Sequence, residues 1–378
     1  MNLHVTNDSY GLYPVEIAKR IRNSGTGDNN RIVNLYPTSV YKDSLISYIP
    51  EKKAAFIKYI AGLDRLDKII FHPYNETAYR FLQEAVKKFP GVTVYWMCWS
   101  YELYNLPHLL HTLYEPFSAA YLAKRPFSIN SLKKIGKGVY INTHTALGLR
   151  KDYKARLEHA HSLVHYFCSP FYADYQFLET VTPGNKIQYL PVAYLSLEEI
   201  IPNLHTFIST GNKVMIGHSA SLEGNHYEVL QKVSEIDASY PVLLPLSYGD
   251  IVYGDLIKKE ARERFDNVEV LENKLERNAY YQKLTEVGWA IFNSKVQQGV
   301  GNIMGLIWMG AKVFLDKDTS TYKDLSAWGI HIFSIQNDLN KYELSNRLSF
   351  EQIENNRKKI LEKFNGEMIS LAWKELLY

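Results

Sequence analysis

The stretch Trp289–Asp316, WAIFNSKVQQGVGNIMGLIWMGAKVFLD, decides how the rest of the chain is read. Its apolar start, Trp289 to Asn293, reads as a buried strand. A turn holding Gln297, Gln298, Gly299 and Gly301 follows, then an apolar helix from Asn302 to Met309, a stop at Gly310, and a second buried strand from Lys312 to Leu315. A glycine-bearing turn at the mouth of a helix brings backbone N–H groups close to a ligand, and the helix dipole adds partial positive charge there. That combination suits a phosphate or pyrophosphate. Asn302 has the side chain to cap the helix, and Gly310 fits a left-handed C-terminal position. Gln297 and Gln298 both donate and accept, which suits sugar hydroxyls or phosphate oxygens. The plain alternative is a strand–turn–helix whose glycines serve packing alone.

Working outward, strand and helix patterns alternate on both sides of this stretch, which predicts parallel sheets covered on both faces. Upstream, strands are expected at residues 3–6, 32–35, 68–72, 92–97, 138–142, 164–168 and 186–190, with helices such as 51–63, 76–88 and 149–161 between them. A second series runs from the strand 213–216 through 241–245, 268–271 and 289–293 to about residue 333. At 378 residues the chain exceeds one typical core. The expectation is an α/β protein of two Rossmann-like, doubly wound parallel-sheet domains facing across a cleft. These cover residues 1–195 and 211–349, with a linker at 196–210 where prolines and polar residues break the rhythm. The amphipathic segment 350–378 is expected as one C-terminal helix that crosses back to the first domain.

Composition excludes several classes. A net charge of +3 is too small for a general nucleic-acid binder. No run approaches the ~20 apolar residues of a membrane-spanning helix, and the N-terminus lacks the layout of a secretory signal. Cys98 and Cys168 sit among apolar residues and read as free thiols of a reducing cytoplasm. No Cys/His cluster has zinc spacing, so no metal or cofactor is expected. The 29 tyrosines suit carbohydrate and membrane-interface surfaces. So does the segment Tyr101–Lys137, where aromatics alternate with Lys124, Arg125, Lys133, Lys134 and Lys137.

In doubly wound sheets ligands bind beyond the C-terminal ends of strands, so the loops there are the candidates. IGHSASLEGNH places Gly217, His218, Ser219, Asn225 and His226 at one such end, and PLSYGD places Ser247, Tyr248 and Gly249 at another. In the first half, FHPYNE and WMCWSYELYNLPH bring His72 and Glu102 to strand ends. Either could take the proton of an acceptor hydroxyl. Asp8 has no motif around it.

Taken together these blocks, with YLPVAY at Tyr189–Tyr194 and QQGVGN at Gln297–Asn302, resemble bacterial glycosyltransferase family 56 over most of the chain. The resemblance implies a GT-B fold, with the donor bound by the second domain and the acceptor by the first. It implies an inverting, metal-independent transfer of an acetamido-dideoxy hexose from a dTDP-sugar to a lipid-linked saccharide, at the inner face of the bacterial inner membrane. By position, Gly217, Ser219, Asn225, His226, Tyr248, Gln297, Gln298, Gly299 and Gly301 take donor-site roles. The family's Asn before the serine is His218 here, its acidic residue in the tryptophan motif is Glu102, and its Arg before the paired glutamines is Val296. A cation for the pyrophosphate is then expected at Lys295 or His218. Two readings of other classes stand beside this one: a sugar-nucleotide-binding protein without turnover, and a UDP-sugar epimerase of the same architecture.

Overall fold

The structure, a computed structural model, describes residues 1–8, 12–36, 42–106, 109, 112–124 and 153–378. The strand expected at 138–142 and the bases Arg125, Lys133, Lys134 and Lys137 lie outside these residues. The described chain divides into two compact units. One contains residues 1–103, 153–194 and 367–378; the other contains 104–124 and 195–366.

The first unit is built on seven parallel strands: β1 (Asn2–Thr6), β2 (Asn30–Asn34), β3 (Ile46–Tyr48), β4 (Lys68–His72), β5 (Thr93–Met97), β6 (Tyr166–Ser169) and β7 (Gln188–Pro191). Their order is β3-β2-β1-β4-β5-β6-β7. The second carries six: β8 (Lys213–Ile216), β9 (Val242–Pro245), β10 (Val268–Leu271), β11 (Val287–Phe292), β12 (Lys312–Leu315) and β13 (Phe333–Ser334), ordered β10-β9-β8-β11-β12-β13. All pairings are parallel. The central strands are near-continuous apolar runs because helices cover both faces. Every residue of β9, β11 and β12 is buried.

In each sheet the order reverses once, between β1 and β4 and between β8 and β11. At such a switch point the connections leave in opposite directions and open a crevice beyond the strand ends. His72 closes β4 opposite Thr6 of β1. In the second sheet Gly217 follows β8 directly, and its N–H donates to the carbonyl of Ile291 on β11 at 2.9 Å.

One local expectation is corrected and two details are added. The segment 350–378 is two helices, Phe350–Phe364 and Gly366–Leu377, because Asn365 is extended (ψ 157°) and ends the first. The second of these groups with the first unit. Within the expected linker 196–210, Ser196 and Glu199 form a capping box for the short helix Leu197–Ile200, and Leu197 and Ile201 are fully buried. Finally, β3 is a strand that the sequence pattern does not announce. It is three residues long and pairs along one edge only, so little of it needs to be apolar.

Candidate active site

The second unit carries a cluster of loops at the carboxyl ends of β8, β9, β11 and β12. The helix after β11 begins at Val300, two residues before the sequence expectation. Gly299 is its N-cap at φ +65°, and no side chain caps it. Asn302 therefore lies within the first turn and is not the cap. Only glycine enters this left-handed conformation freely, and it lets the turn pass straight into the helix. The helix runs ten residues to Met309 and ends at Gly310, left-handed at φ +92°. Its first N–H groups have no partners within the helix, and residues 299–302 are all partly exposed. Just before the turn, the side-chain carbonyl oxygens of Gln297 and Gln298 are buried and accept no hydrogen bond.

His218 packs against this turn. A Cβ on Gly299 would fall 3.0 Å from its Cγ and Nδ1, and its ring also meets Tyr248 edge-on at 6.2 Å and Phe292. Loss of water around the ring lowers the His218 pKa to about 4, so the imidazole is neutral at pH 7 and brings no cation. Lys295 keeps its charge but is engaged by two carboxylates, Asp316 and Glu115, each at 2.5 Å. Burial alone would lower its pKa, and these two partners raise it instead. Tyr248 is 58% exposed beside the turn.

Asn225 and His226 lie behind the loop. Asn225 is fully buried and left-handed at φ +46°. Its amide donates to the carbonyls of Leu113 (3.2 Å) and Asn293 (2.9 Å), and its oxygen accepts from the Glu115 N–H (2.9 Å). Residues 113–115 are thereby tied to the end of β11, which sets Glu115 against Lys295. Glu228 completes the tie by accepting from the N–H groups of Phe117 and Ser118 at the start of the helix Pro116–Lys124. His226 fills the space left by two glycines: a Cβ on Gly217 or Gly224 would fall 2.1 or 2.4 Å from its ring. Burial, and then the nearby His218, lower its pKa to about 3. Ser219 is also buried. These residues shape the loop; the partly exposed ones that remain are His218, Tyr248, Gln297, Gln298, Gly299, Gly301 and Asn302.

The first unit has its own cluster beyond β4 and β5. Oε1 of Glu102 accepts from the Trp96 indole and from the Trp99 N–H, both at 2.9 Å. Oε2 has no partner. Burial raises the Glu102 pKa to about 7 against the effect of those two bonds, so the group is poised to exchange a proton near neutrality. His72 is placed differently. It is fully buried, one ring nitrogen faces His4 at 3.1 Å, and the other faces the Tyr194 hydroxyl at 2.5 Å. Burial holds it neutral, its pKa well below the ordinary value. With both nitrogens occupied, His72 has none left for a substrate hydroxyl. Asp8 is buried and accepts from the Tyr13 N–H. Sequence reasoning passed over His4, Trp99 and Tyr194. Tyr194 closes the YLPVAY block, but nothing in one sequence places it against His72.

Two doubly wound parallel-sheet units in one chain are the architecture of the GT-B glycosyltransferases. Solved structures agree on the fold. Sucrose-phosphate synthase from Thermosynechococcus elongatus superposes with a TM-score of 0.66 at 9% identity, covering 100% of this chain and 98% of that one. Anabaena Alr3699/HepE in complex with UDP and glucose gives 0.62 at 10% identity, over 100% and 98%. A trehalose 6-phosphate synthase from Burkholderia multivorans gives 0.61 at 11%, over 99% and 97%. The sequence profile of the family described as 4-alpha-L-fucosyltransferase, glycosyl transferase group 56, matches residues 171–377, more than half of the chain. The chain belongs to that family and is a glycosyltransferase. No helix among the described residues is long and apolar enough to cross a membrane.

Proposed function

We propose that the second unit binds a nucleotide-diphosphate sugar with its diphosphate on the turn at Gly299–Asn302. The observation that carries this reading is the uncapped, partly exposed head of the helix Val300–Met309, set beside two unpartnered glutamine oxygens at the sheet's switch point. Backbone N–H groups and the helix dipole meet the negative charge that grows as the diphosphate leaves. The oxygens of Gln297 and Gln298 need hydroxyl or N–H donors, which a sugar or ribose supplies. Tyr248 offers an exposed aromatic face beside them. Lys295 acts here through structure: paired with Asp316 and Glu115, it fixes the loop that carries the glutamines.

Glu102 is the base. It takes the proton of the acceptor hydroxyl on Oε2, the freed oxygen forms a bond to the anomeric carbon, and the bond from that carbon to the diphosphate breaks. The configuration at that carbon inverts. Resemblance to the family supports a dTDP-linked acetamido-dideoxy hexose as donor and a lipid-linked saccharide as acceptor. It also supports action without a metal ion, at the cytoplasmic face of the bacterial inner membrane during surface-polysaccharide synthesis.

The test is nucleoside diphosphate release from a panel of dTDP- and UDP-sugars, with and without a lipid-linked saccharide, alongside thermal stabilisation by each nucleotide. Release that requires acceptor supports the transferase. A donor sugar altered without acceptor identifies an epimerase, and stabilisation without turnover identifies a binding protein; either overturns the proposal.

A further inference from the structure

The neutral histidines of the first unit belong to a chain of hydrogen bonds with only one self-consistent direction. It starts at Asn30, fully buried on β2. The Asn30 amide nitrogen lies 3.0 Å from two carbonyl oxygens, those of Thr26 and Leu377. Both are acceptors, so that atom must be the NH2, and Oδ1 must face His4 Nε2 at 3.3 Å. His4 Nε2 therefore carries a proton. A second proton on His4 would place a cation in a fully buried site already flanked by Arg20, whose guanidinium lies over the Trp373 ring at 5.3 Å. That ring stacks against both His4 and His72.

With His4 neutral, its Nδ1 is an acceptor, and His72 Nε2, 3.1 Å away, must donate to it. His72 is neutral for the same reason, so its Nδ1 accepts from the Tyr194 hydroxyl at 2.5 Å. The Tyr194 oxygen in turn accepts from the Trp99 indole N–H at 2.6 Å. Trp99 is also the residue whose backbone N–H donates to Glu102 Oε1. The Tyr194 main chain is held separately, its carbonyl accepting from Arg20 Nε at 3.1 Å.

We infer that Tyr194 is a positioning residue for the transfer. Through the chain Trp99 → Tyr194 → His72 → His4 → Asn30 it locks the tryptophan whose N–H holds one oxygen of Glu102, and so leaves the other oxygen aimed for proton transfer. The inference rests on Glu102 being the base. The chain also explains why two histidines stand side by side on neighbouring strands with no carboxylate between them: each is a one-way connector, a donor on one nitrogen and an acceptor on the other.

Two measurements on the full chain test it. In protein labelled with 15N-histidine, with resonances assigned through His4→Gln and His72→Gln, both rings are expected neutral at pH 7 with the proton on Nε2. A proton on Nδ1 of either ring, or a charged ring, breaks the chain and overturns the inference. Tyr194→Phe removes the link and keeps the ring. It is expected to lower kcat about 10-fold or more with donor KM unchanged. The acid limb of the kcat profile should move to higher pH, because a looser Trp99 stabilises the carboxylate less. Trp99→Phe should do the same. In a Glu102→Gln background Tyr194→Phe should cost nothing further, since both act on one step. Unchanged kcat in Tyr194→Phe, an unmoved limb, or full additivity with Glu102→Gln sinks the positioning role. If Glu102→Gln alone keeps its turnover, the base assignment fails while the proton positions on His4 and His72 remain a separate result.

Discussion

Replacing Gly299 with alanine separates the conformational role of the turn from its ligand role. At φ +65° an alanine is held in the left-handed region, which costs about 1–2 kcal/mol. Its Cβ also meets His218 at 3.0 Å, tighter than a normal contact, and crowding of this kind adds roughly 1 kcal/mol. The sum, about 2–3 kcal/mol, lowers the melting midpoint of the second unit by roughly 4–12 °C. His218→Ala in the same chain removes the crowding and leaves the backbone cost, so it recovers only part of that shift. Gly301→Ala is the control. No positive φ is recorded there, and the nearest atom to a new Cβ is Ile200 Cγ2 at 3.8 Å. Within a helical turn alanine is favoured over glycine by about 0.5–1 kcal/mol, so this variant melts no lower than the parent. Calorimetric titration with dTDP and UDP then reads the ligand. A shifted turn loses one charge-assisted hydrogen bond of about 1.5–3 kcal/mol, which weakens Kd by roughly 10–100-fold. If Gly299→Ala melts like the parent, the left-handed turn is misread. If it melts low but binds both nucleotides unchanged, the diphosphate is held elsewhere.

Other outcomes follow from the same geometry. Glu102→Gln should cut turnover by about 10²–10⁴-fold while leaving donor Kd within two-fold in calorimetry. A base must be ionised, so the parent kcat should rise with pH through about 7, the raised pKa of Glu102, and the variant should lose that limb. His4, His161 and His218 sit at about 4 in the fold and His226 at about 3, against 6.5 when exposed. Between those values the unfolded chain binds more protons, so stability is full above pH 6.5 and drains as pH falls toward 4. Glu102 has the opposite sign: its burial costs nothing below pH 4.5 and costs progressively more up to about 7. Urea titrations from pH 7.5 to 4.5 should therefore show a steeper acid loss in Glu102→Gln and a shallower one in His226→Gln. A slope unchanged in both would refute the assigned protonation states. Transfer measured in EDTA should match transfer in added Mg²⁺, since the proposed site meets the diphosphate with N–H groups; a strict requirement for the metal would refute that design.

The parallel sheets were legible because buried strands leave a plain mark. Lys68–His72, Lys213–Ile216 and Lys312–Leu315 stand where their apolar runs put them. The glycine turn was legible too, since Gly299 and Gly310 take left-handed angles that few other residues tolerate. What the sequence hid depends on contacts between distant residues. Glu115 and Lys295 are 180 positions apart, and Asn225 ties the loops that bring them together. The helix break at Asn365 is one dihedral in an otherwise unbroken amphipathic pattern.

The same physics bears on the cation expected at Lys295 or His218. A cation fixed in a buried loop requires a counter-charge in the free protein, and Lys295 has two, Asp316 and Glu115. The three groups together carry one net negative charge, so Lys295 offers no surplus to an arriving diphosphate. The nearby imidazoles cannot supply it either, because burial keeps His218 and His226 neutral. In the proposed site the attraction left to the turn is its own uncapped peptide groups, which need no counter-ion and lose nothing to pairing when the site is empty. A site of that kind is specified by glycine φ angles and by what packs behind them. Gly217 and Gly224 make room for His226, and Gly299 makes room for His218. On the proposed reading, the residues that meet the diphosphate in this unit carry no charge themselves.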